Sequence, residues 1–198
     1  VNVSSFAVYS NLRLRRGAVL DESCPLEDDL AQRYNAYVYG KLKQDEIVLK
    51  YHQQHGLPYV IVRPGIVFGP GKRAIPGTVG IDTFGIFMHL GGKQPIPLTY
   101  VDNCADAIVL AGLVPAIEKE VFNVVDDDLP TSRSFLRRYQ QRVGHFRTIP
   151  IPYWLFYLFS FAWEKYAAWS RGQIPPVFNR RSCAFSWKGH RYSNKKLK

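Results

Sequence analysis

Short apolar runs alternate with segments of helical spacing along the chain. VNVSSFAVYS begins as an alternating, β-branched stretch, which predicts a strand that ends near Ser4 and Ser5. LPYVIVRPG and VFNVVD are short continuous apolar runs. Such runs are typical of strands that are buried on both faces of a parallel sheet.

Helices are predicted where apolar residues recur every three or four positions. One runs from about Tyr37 to His55, and Gly56 is placed to cap its C-terminus. YVDNCADAIVLAGL and TSRSFLRRYQQRV predict two more helices. Their candidate N-caps are Asp102 or Asn103, and Thr131 or Ser132. Strands that alternate with helices predict an α/β fold with a parallel sheet.

Two segments show no regular spacing of apolar residues. The sequence of residues 11–33 predicts a long loop. Residues 65–98 are dense in glycine and proline, and we expect irregular structure there apart from a short helix near Phe84–Leu90.

The most apolar segment is YWLFYLFSFAWEKYAAW, residues 153–169. Eleven residues, Tyr153 to Trp163, precede its first charge. At 1.5 Å per residue they span about 16 Å, roughly half of a bilayer core, which excludes a membrane-spanning helix. The segment fits a helix buried in a core or dimer interface better than one at a membrane surface or against an apolar ligand.

Composition and charge narrow the function classes. Hydrophobic residues make up 46% and charged residues 21%, as in a folded globular protein. The net charge of +10 suits an anionic small molecule or an acidic membrane surface. No zinc-finger, basic-zipper or RNA-binding signature accompanies it, so we expect no nucleic acid partner. The three scattered cysteines favour free thiols in a reducing, cytoplasmic compartment.

Candidate chemistry lies in YNAYVYGKLKQDE, residues 34–46, where Tyr37 precedes Lys41 and Tyr39 precedes Lys43 by one helical turn. A phenol is a poor base at neutral pH unless a nearby positive charge stabilises its anion. A tyrosine activated in this way can take a proton from a substrate hydroxyl while hydride leaves the adjacent carbon. Such pairs also occur by chance on amphipathic helices.

Four longer stretches surround this pair in order: VSSFAVYS, LDESCPLEDD, KLKQDEIVLKYHQQHGLPYVIVRPGIVFGPG and IPLTYVDNCADAIVLA. Together with it they resemble the extended short-chain dehydrogenase/reductase family, which contains NAD-dependent nucleotide-sugar epimerases and dehydratases. The resemblance covers almost the whole chain. It implies a partial Rossmann-type, doubly wound parallel sheet over residues 1–130, with residues 65–100 as a substrate-side insertion. A small, mostly helical C-terminal substrate domain would follow over residues 131–198.

The resemblance favours one tyrosine–lysine pair over the other. Family members carry an acidic residue four positions after the lysine, and Asp45 occupies that position relative to Lys41. Gly40 fits the small residue expected before the lysine. The expected pair is therefore Tyr37–Lys41 rather than Tyr39–Lys43.

The resemblance also implies roles for individual residues. Tyr37 would be the acid/base and would also contact the cofactor, and Lys41 would favour its phenolate and hydrogen-bond the nicotinamide ribose. Ser5 would polarise the substrate oxygen, and the neighbouring Ser4 would contact the nucleotide. As an alternative, the Ser5 hydroxyl would only satisfy local backbone groups at a strand end.

Arg63, Pro64 and Gly65 would bring backbone close to the nicotinamide. Pro64 and Gly65 also suit a simple strand end, and Arg63 suits a structural ion pair. His52 and His55 share a helical face without a third ligand, so we expect no metal site.

The expected cofactor is NAD, with NADP as the alternative. The glycine-rich fingerprint of dinucleotide-binding folds does not occur in the sequence, so we expect the chain to be the C-terminal part of a longer enzyme. A homodimer is expected by analogy with the family.

The leading hypothesis is an NAD(P)-dependent sugar-nucleotide epimerase/dehydratase-like oxidoreductase acting on a small-molecule nucleotide sugar. Residues 150–181, which contain GQIPPVFNRR, resemble the hydroxysteroid-dehydrogenase-like branch instead. Such an enzyme would oxidise a lipophilic alcohol and could rest on a membrane surface. A nucleotide-binding remnant without catalysis is the third hypothesis.

Overall fold

Strands and helices alternate through most of the chain in the computed structural model, which describes residues 1–10, 13–28, 35–83, 85–171 and 173–198. The strands are β1 (Asn2–Val3), β2 (Val19–Leu20), β3 (Ile61–Pro64), β4 (Ile66–Phe68), β5 (Gly80–Thr83), β6 (Ile86–His89), β7 (Leu98–Tyr100), β8 (Val121–Val124), β9 (Thr148–Pro150) and β10 (Arg191–Tyr192). The α-helices are α1 (Ala36–His55), α2 (Val101–Leu113), α3 (Ser132–Arg142), α4 (Tyr153–Trp169) and α5 (Arg180–Trp187).

The central sheet consists of parallel strands in the order β1-β3-β8. Side chains of β3 alternate between its two faces. Val62 packs with Ala107 and Ala111 of α2, whereas Arg63 contacts Asp45 of α1. The two helices therefore cover opposite faces, as in the doubly wound Rossmann-like sheet that the sequence predicts.

Helix α1 has the boundaries that the sequence predicts. The Asn35 side chain caps its N-terminus by accepting a hydrogen bond from the Val38 amide. Gly56 ends the helix with φ of 68°, a left-handed conformation that favours glycine, so the predicted C-cap is confirmed.

Of the N-caps predicted for α2 and α3, the first is wrong and the second is confirmed. Tyr100 is the N-cap residue of α2, and Asp102 lies in the first turn, so the predicted cap at Asp102 or Asn103 is wrong. The Asp126 carboxylate instead accepts hydrogen bonds from the Tyr100 amide and the Asn103 side chain. Thr131 caps α3 as predicted, accepting from the Ser134 amide.

The glycine-rich segment 65–98 is more regular than its composition indicates. The predicted helix near Phe84–Leu90 is wrong, because Ile86–His89 is strand β6; Phe84 lies outside the described residues. Strand β6 pairs antiparallel with β5 across a turn at Gly85, whose φ is 78°. It pairs in parallel with β9 on its other edge. The predicted loop over residues 11–33 contains strand β2, and its residues 11, 12 and 29–33 lie outside the described ones.

The C-terminal third is joined to the rest of the chain through strand pairs, since β9 pairs with β6 and β10 pairs with β2. Helix α4 packs its Phe156 side chain with Leu90 and Cys183, but most of its outer face is exposed. The predicted helix is confirmed, and burial of the whole helix in a core is not observed. Within the described ranges, no helix has the length and apolarity needed to cross a membrane.

Two alanine substitutions in and after α1 test its boundaries. Gly56→Ala places a side chain in the left-handed region and should lower the free energy of unfolding by about 1 kcal/mol. Gly40→Ala makes the same chemical change inside the helix, where no atom lies within 4 Å of the new Cβ, and should raise stability by about 0.5–1 kcal/mol. Urea unfolding measures both, and shifts in the same direction would contradict the assigned C-cap.

Candidate active site

The Lys41 side chain joins helix α1 to the carboxyl end of strand β1. Its Nζ donates hydrogen bonds to the Val3 carbonyl oxygen at 2.8 Å and to Gln44 Oε1 at 3.1 Å. Val3 is the last residue of β1, and Ser4 and Ser5 follow it directly. The ammonium group therefore lies at the end of the sheet where the predicted serines leave the strand.

Lys43 points to solvent instead. Its Nζ forms an exposed ion pair with Glu46 Oε2 at 2.6 Å. The hydrogen bond to Glu46 and the charge of that carboxylate raise the pKa of Lys43. Of these two lysines, Lys41 is the one that hydrogen-bonds to β1, and the choice of Tyr37–Lys41 over Tyr39–Lys43 stays a prediction.

Tyr37 precedes Lys41 by one helical turn and is 57% exposed. Residues four apart lie on the same face of a helix, so the phenol and the ammonium are neighbours on α1. An exposed phenol beside a lysine fixed to the sheet is accessible to a small molecule. The acid/base role of Tyr37 stays a prediction.

Ser5 is buried at the start of a short 3₁₀ helix, Phe6–Val8, and its Oγ accepts a hydrogen bond from the Ala7 amide at 3.2 Å. This is the local backbone contact that the sequence left open as an alternative. The hydroxyl proton of Ser5 is still able to donate to a substrate oxygen, because only an acceptor position is used.

Ser4 points into the protein and belongs to a hydrogen-bonded cluster around the buried carboxylate of Asp45. Asp45 accepts from Ser4 Oγ at 2.9 Å, from Asn2 Nδ2 at 2.7 Å and from Arg63 Nη2 at 3.2 Å. Its side chain is only 4% exposed, and that of Arg63 is 6% exposed. The first residue of β1, Asn2, and the residue that follows the strand, Ser4, are thus both hydrogen-bonded to Asp45 of α1. The nucleotide contact predicted for Ser4 stays untested.

The guanidinium group of Arg63 extends this cluster to the next strand. Its Nη1 donates to the hydroxyl oxygen of Tyr9 at 3.1 Å, and that hydroxyl donates to Asn123 Oδ1 at 2.8 Å. The guanidinium carbon lies 4.9 Å from the Tyr9 ring centroid, a cation–π contact. The structure thus gives Arg63 the ion-pair role that the sequence left open, and its predicted cofactor contact stays a prediction.

Burial makes ionisation of the Tyr9 phenol, which is already protonated at neutral pH, less favourable still. Desolvation raises the pKa of its phenol, and the positive charge of Arg63 opposes that shift only in part. Tyr9 is therefore a neutral hydrogen-bond donor at physiological pH. Its hydroxyl group bridges Asn123 of β8 and the Arg63 guanidinium, which is the group that pairs with Asp45 of α1.

Pro64 and Gly65 lie where β3 ends. The Gly65 amide donates to the Val124 carbonyl oxygen at 2.9 Å. A Cβ at Gly65 would overlap the Pro97 carbonyl oxygen and lie 3.0 Å from Val125 Cγ1, so the close approach that requires glycine is to this protein's own backbone. A nicotinamide contact at Pro64 and Gly65 stays a prediction.

Sequence reasoning used Asp45 only to choose the tyrosine–lysine register and did not place Asn2, Tyr9 or Asn123 in the site. One signal was present: Arg63 interrupts an otherwise apolar strand. A buried positive charge requires a negatively charged partner, so an acidic residue on the adjacent helix was the candidate partner of Arg63.

Comparison with known proteins places these residues in a wider context. The model of the NAD dependent epimerase/dehydratase family matches residues 1–124. This match includes Ser5, Tyr37, Lys41 and Gly65. No curated protein matches the chain.

Solved structures share the fold at low sequence identity. UDP-glucuronic acid 4-epimerase from Bacillus cereus in complex with NAD is 20% identical with a TM-score of 0.57, over 75% of this chain and 48% of that one. The protein gox2253 is 20% identical with a TM-score of 0.69, over 98% and 57%. MoeE5 in complex with UDP-glucuronic acid and NAD is 15% identical with a TM-score of 0.61, over 98% and 55%. The chain thus spans about half the length of these structures.

The buried ion pair predicts a large and non-additive effect of substitution. Asp45→Asn removes the negative charge and leaves the Arg63 guanidinium uncompensated, which should cost about 3–5 kcal/mol in unfolding free energy. The double variant Asp45→Leu/Arg63→Met removes both charges and should lose less than Asp45→Asn alone. Urea unfolding of Asp45→Leu, Arg63→Met and the double variant completes a double-mutant cycle that measures the coupling.

Glu46→Gln is the matched control for this cycle, since it breaks the exposed pair with Lys43 on the same helix and should change stability little. Additive effects at Asp45 and Arg63, or an equal loss in the Glu46 variant, would show that the buried pair does not hold α1 on the sheet.

Proposed function

The chain belongs to the NAD dependent epimerase/dehydratase family, and on this basis we propose that it acts on a nucleotide-linked sugar by transient oxidation of one sugar carbon. The observation that carries the proposal is the Lys41 ammonium hydrogen-bonded to the end of β1, with the exposed Tyr37 one turn away. Nucleoside diphosphate sugars are the proposed substrate class, since structural neighbours were solved in complex with UDP-glucuronic acid.

NAD is the proposed cofactor, and the residues near the end of β1 fit its nicotinamide ribose. Lys41 Nζ donates to Val3 and Gln44 and keeps a third N–H for a ribose hydroxyl, and the exposed Tyr37 lies on the same side of α1. When bound, the nicotinamide supplies a hydride acceptor and later a hydride donor. Two structural neighbours, UDP-glucuronic acid 4-epimerase from Bacillus cereus and MoeE5, were solved in complex with both NAD and UDP-glucuronic acid, which supports the same choice here.

The chain's own side chains would move the proton. Tyr37 Oη takes the proton of the sugar hydroxyl as that carbon is oxidised, and the Ser5 hydroxyl donates to the same oxygen. Lys41 would stabilise the phenolate through its positive charge, one helical turn away. An epimer would form if the carbonyl turned its opposite face to the hydride before reduction, with Tyr37 then returning the proton to the oxygen.

Asp45 and Arg63 act in this scheme as positioning residues. They do not face the proposed substrate, since both are buried. Their ion pair holds α1 against β3, and Lys41 lies one turn before Asp45 on that helix. Displacement of the helix would move Lys41 away from β1, and a shift of about 1 Å in a positioned group is enough to reduce turnover strongly.

A second candidate is oxidation of a lipophilic alcohol. The aromatic cluster of α4 favours it: Phe156, Phe159 and Trp163 pack against Phe178 with ring centroids 5.3–6.2 Å apart. An apolar substrate would find such a surface more favourable than a charged nucleotide sugar would.

Dimer formation and a cytoplasmic location stay predictions.

Replacing the proposed acid/base gives the sharpest test. Tyr37→Phe should lower the turnover of UDP-sugar interconversion in the presence of NAD by about 10²–10⁴-fold, because general acid–base catalysis contributes about that much. Cofactor affinity should fall by about fivefold or less, the value of one hydrogen bond, and the unfolding midpoint should stay unchanged. Product formation is measured by chromatography of the nucleotide sugars.

Tyr39→Phe is the matched control, since Tyr39 lies on the same helix and is similarly exposed at 50%. It should retain full turnover. Loss of turnover in Tyr39→Phe but not in Tyr37→Phe would overturn the assigned register. Turnover of a lipophilic alcohol but not of UDP-sugars would favour the second candidate.

A further inference from the structure

Residues 188–194 form a short C-terminal segment that contains strand β10. This strand pairs in parallel with β2 over two residues. The Arg191 amide donates to the Ala18 carbonyl oxygen at 2.9 Å, and the Ser193 amide donates to the Leu20 carbonyl oxygen at 3.1 Å. Because so short a pairing holds the segment, we expect it to open at a lower cost in free energy than the central sheet.

The C-terminal segment contacts the part of the chain that carries Ser5. The Tyr192 ring lies edge-on to the ring of Phe6, with centroids 5.8 Å apart, and Phe6 directly follows Ser5. Asn194 Nδ2 donates to the carbonyl oxygen of Val125, just after β8, at 2.9 Å. Opening of the segment would therefore uncover Phe6 and loosen the support of Ser5.

His190, in the middle of the C-terminal segment, is buried without a polar partner. The residue is only 2% exposed. Neither Nδ1 nor Nε2 has a hydrogen-bond partner within the part of the chain that the structure describes. Burial and the positive charge of Lys188 lower the pKa of the imidazole. The closed segment therefore holds His190 in its neutral form.

The acids near this segment have partners of their own. These pairs are Asp21–Ser23, Glu22–Asn123, Glu27–Arg181 and Asp127–Lys198. The Tyr192 phenol and the Cys24 thiol stay neutral, because burial raises the pKa of each. Among the described residues, Lys188 is the charged group that acts on the His190 imidazole, and it has the wrong sign to accept an imidazolium.

We propose that the C-terminal segment is an acid-released strap, which opens when His190 takes up a proton. Water solvates an imidazolium, whereas the closed site offers it neither an anion nor a hydrogen-bond acceptor. The pKa of His190 in the closed state lies below its usual value of about 6.5. The strap is therefore fully attached above that pH and becomes easier to open as the pH falls below it.

A second buried histidine, His89, differs from His190 because it has a partner. Its Nε2 lies 3.0 Å from Ser132 Oγ, and that hydroxyl donates to the Leu90 carbonyl oxygen, so the Nε2–H of His89 is the donor. Burial and the charge of Arg133 lower the pKa of His89. This residue belongs to β6, so its protonation would weaken the sheet of β5, β6 and β9 rather than the strap.

Hydrogen exchange of the full chain, followed by NMR at pH 7.5 and pH 5.5, tests the proposal. Protection factors are corrected for the intrinsic exchange rate at each pH. Those of the Arg191 and Ser193 amides should fall about tenfold at pH 5.5, since a released imidazole gains about one proton over this interval. Those of the Asn2 and Ile61 amides, which lie in the central sheet, should change by less than about twofold.

His190→Leu removes the titrating group and leaves an apolar side chain in the buried site. The protection factors of Arg191 and Ser193 should then be independent of pH over the same interval. His145→Leu is the matched control, because His145 is exposed, and it should retain the fall. Titration of the His190 ring resonances in the unaltered chain gives a measurement that does not depend on the folding of either variant. The measured pKa should lie below the usual value of about 6.5.

Four outcomes would overturn the proposal. The first is unchanged protection of Arg191 and Ser193 at pH 5.5, and the second is an equal fall at Asn2 and Ile61, which would indicate acid unfolding of the whole chain. The third is a fall that persists in His190→Leu, since His89 or another group would then be responsible. The fourth is an ordinary pKa for His190.

An effect of the strap on turnover rests on the proposed function, because it acts through Phe6 and Ser5. The exchange measurements contain neither NAD nor nucleotide sugar. Failure of the strap and failure of the proposed function are therefore distinguishable.

Discussion

The buried pair of Asp45 and Arg63 is the interaction on which the candidate site depends. It connects the middle of helix α1 to strand β3 through side chains that are almost fully excluded from water. The same carboxylate accepts hydrogen bonds from Asn2 and Ser4, on either side of Val3. One acid thereby fixes the helix relative to two adjacent strands. Lys41, one turn earlier on α1, reaches the Val3 carbonyl because of this placement.

Such a pair is costly to bury, and the geometry shows how the cost is offset. Three donors converge on Asp45, and the Arg63 guanidinium also donates to Tyr9 and lies over its ring. The Nε–H of Arg63 has no hydrogen-bond partner within the part of the chain that the structure describes. Replacement of both charges by apolar side chains could keep stability and still lose the directional contacts that align α1. The pair therefore contributes orientation more than net stability.

Much of this arrangement was predictable from the sequence, because it depends on local patterns. The spacing of Tyr37, Lys41 and Asp45 on one helix, with Gly56 at its end, follows from helical geometry and glycine's freedom at positive φ. The β5–β6 hairpin was missed because its strands are short and its glycines resemble those of an irregular loop. Cross-strand partners such as β9 lie about sixty residues away in the chain, and no local pattern encodes them. The N-cap of α2 was predicted wrongly for the same reason. The carboxylate that accepts from the Tyr100 amide belongs to Asp126, which lies in another part of the chain.

A crystal structure of the chain with NAD bound would test the central claim most directly. The account predicts the nicotinamide ribose within hydrogen-bond distance of Lys41 Nζ and Tyr37 Oη, with the Asp45–Arg63 pair intact and buried. Cofactor bound away from the end of β1, or an Arg63 guanidinium turned outward to the cofactor with Asp45 unpaired, would contradict it.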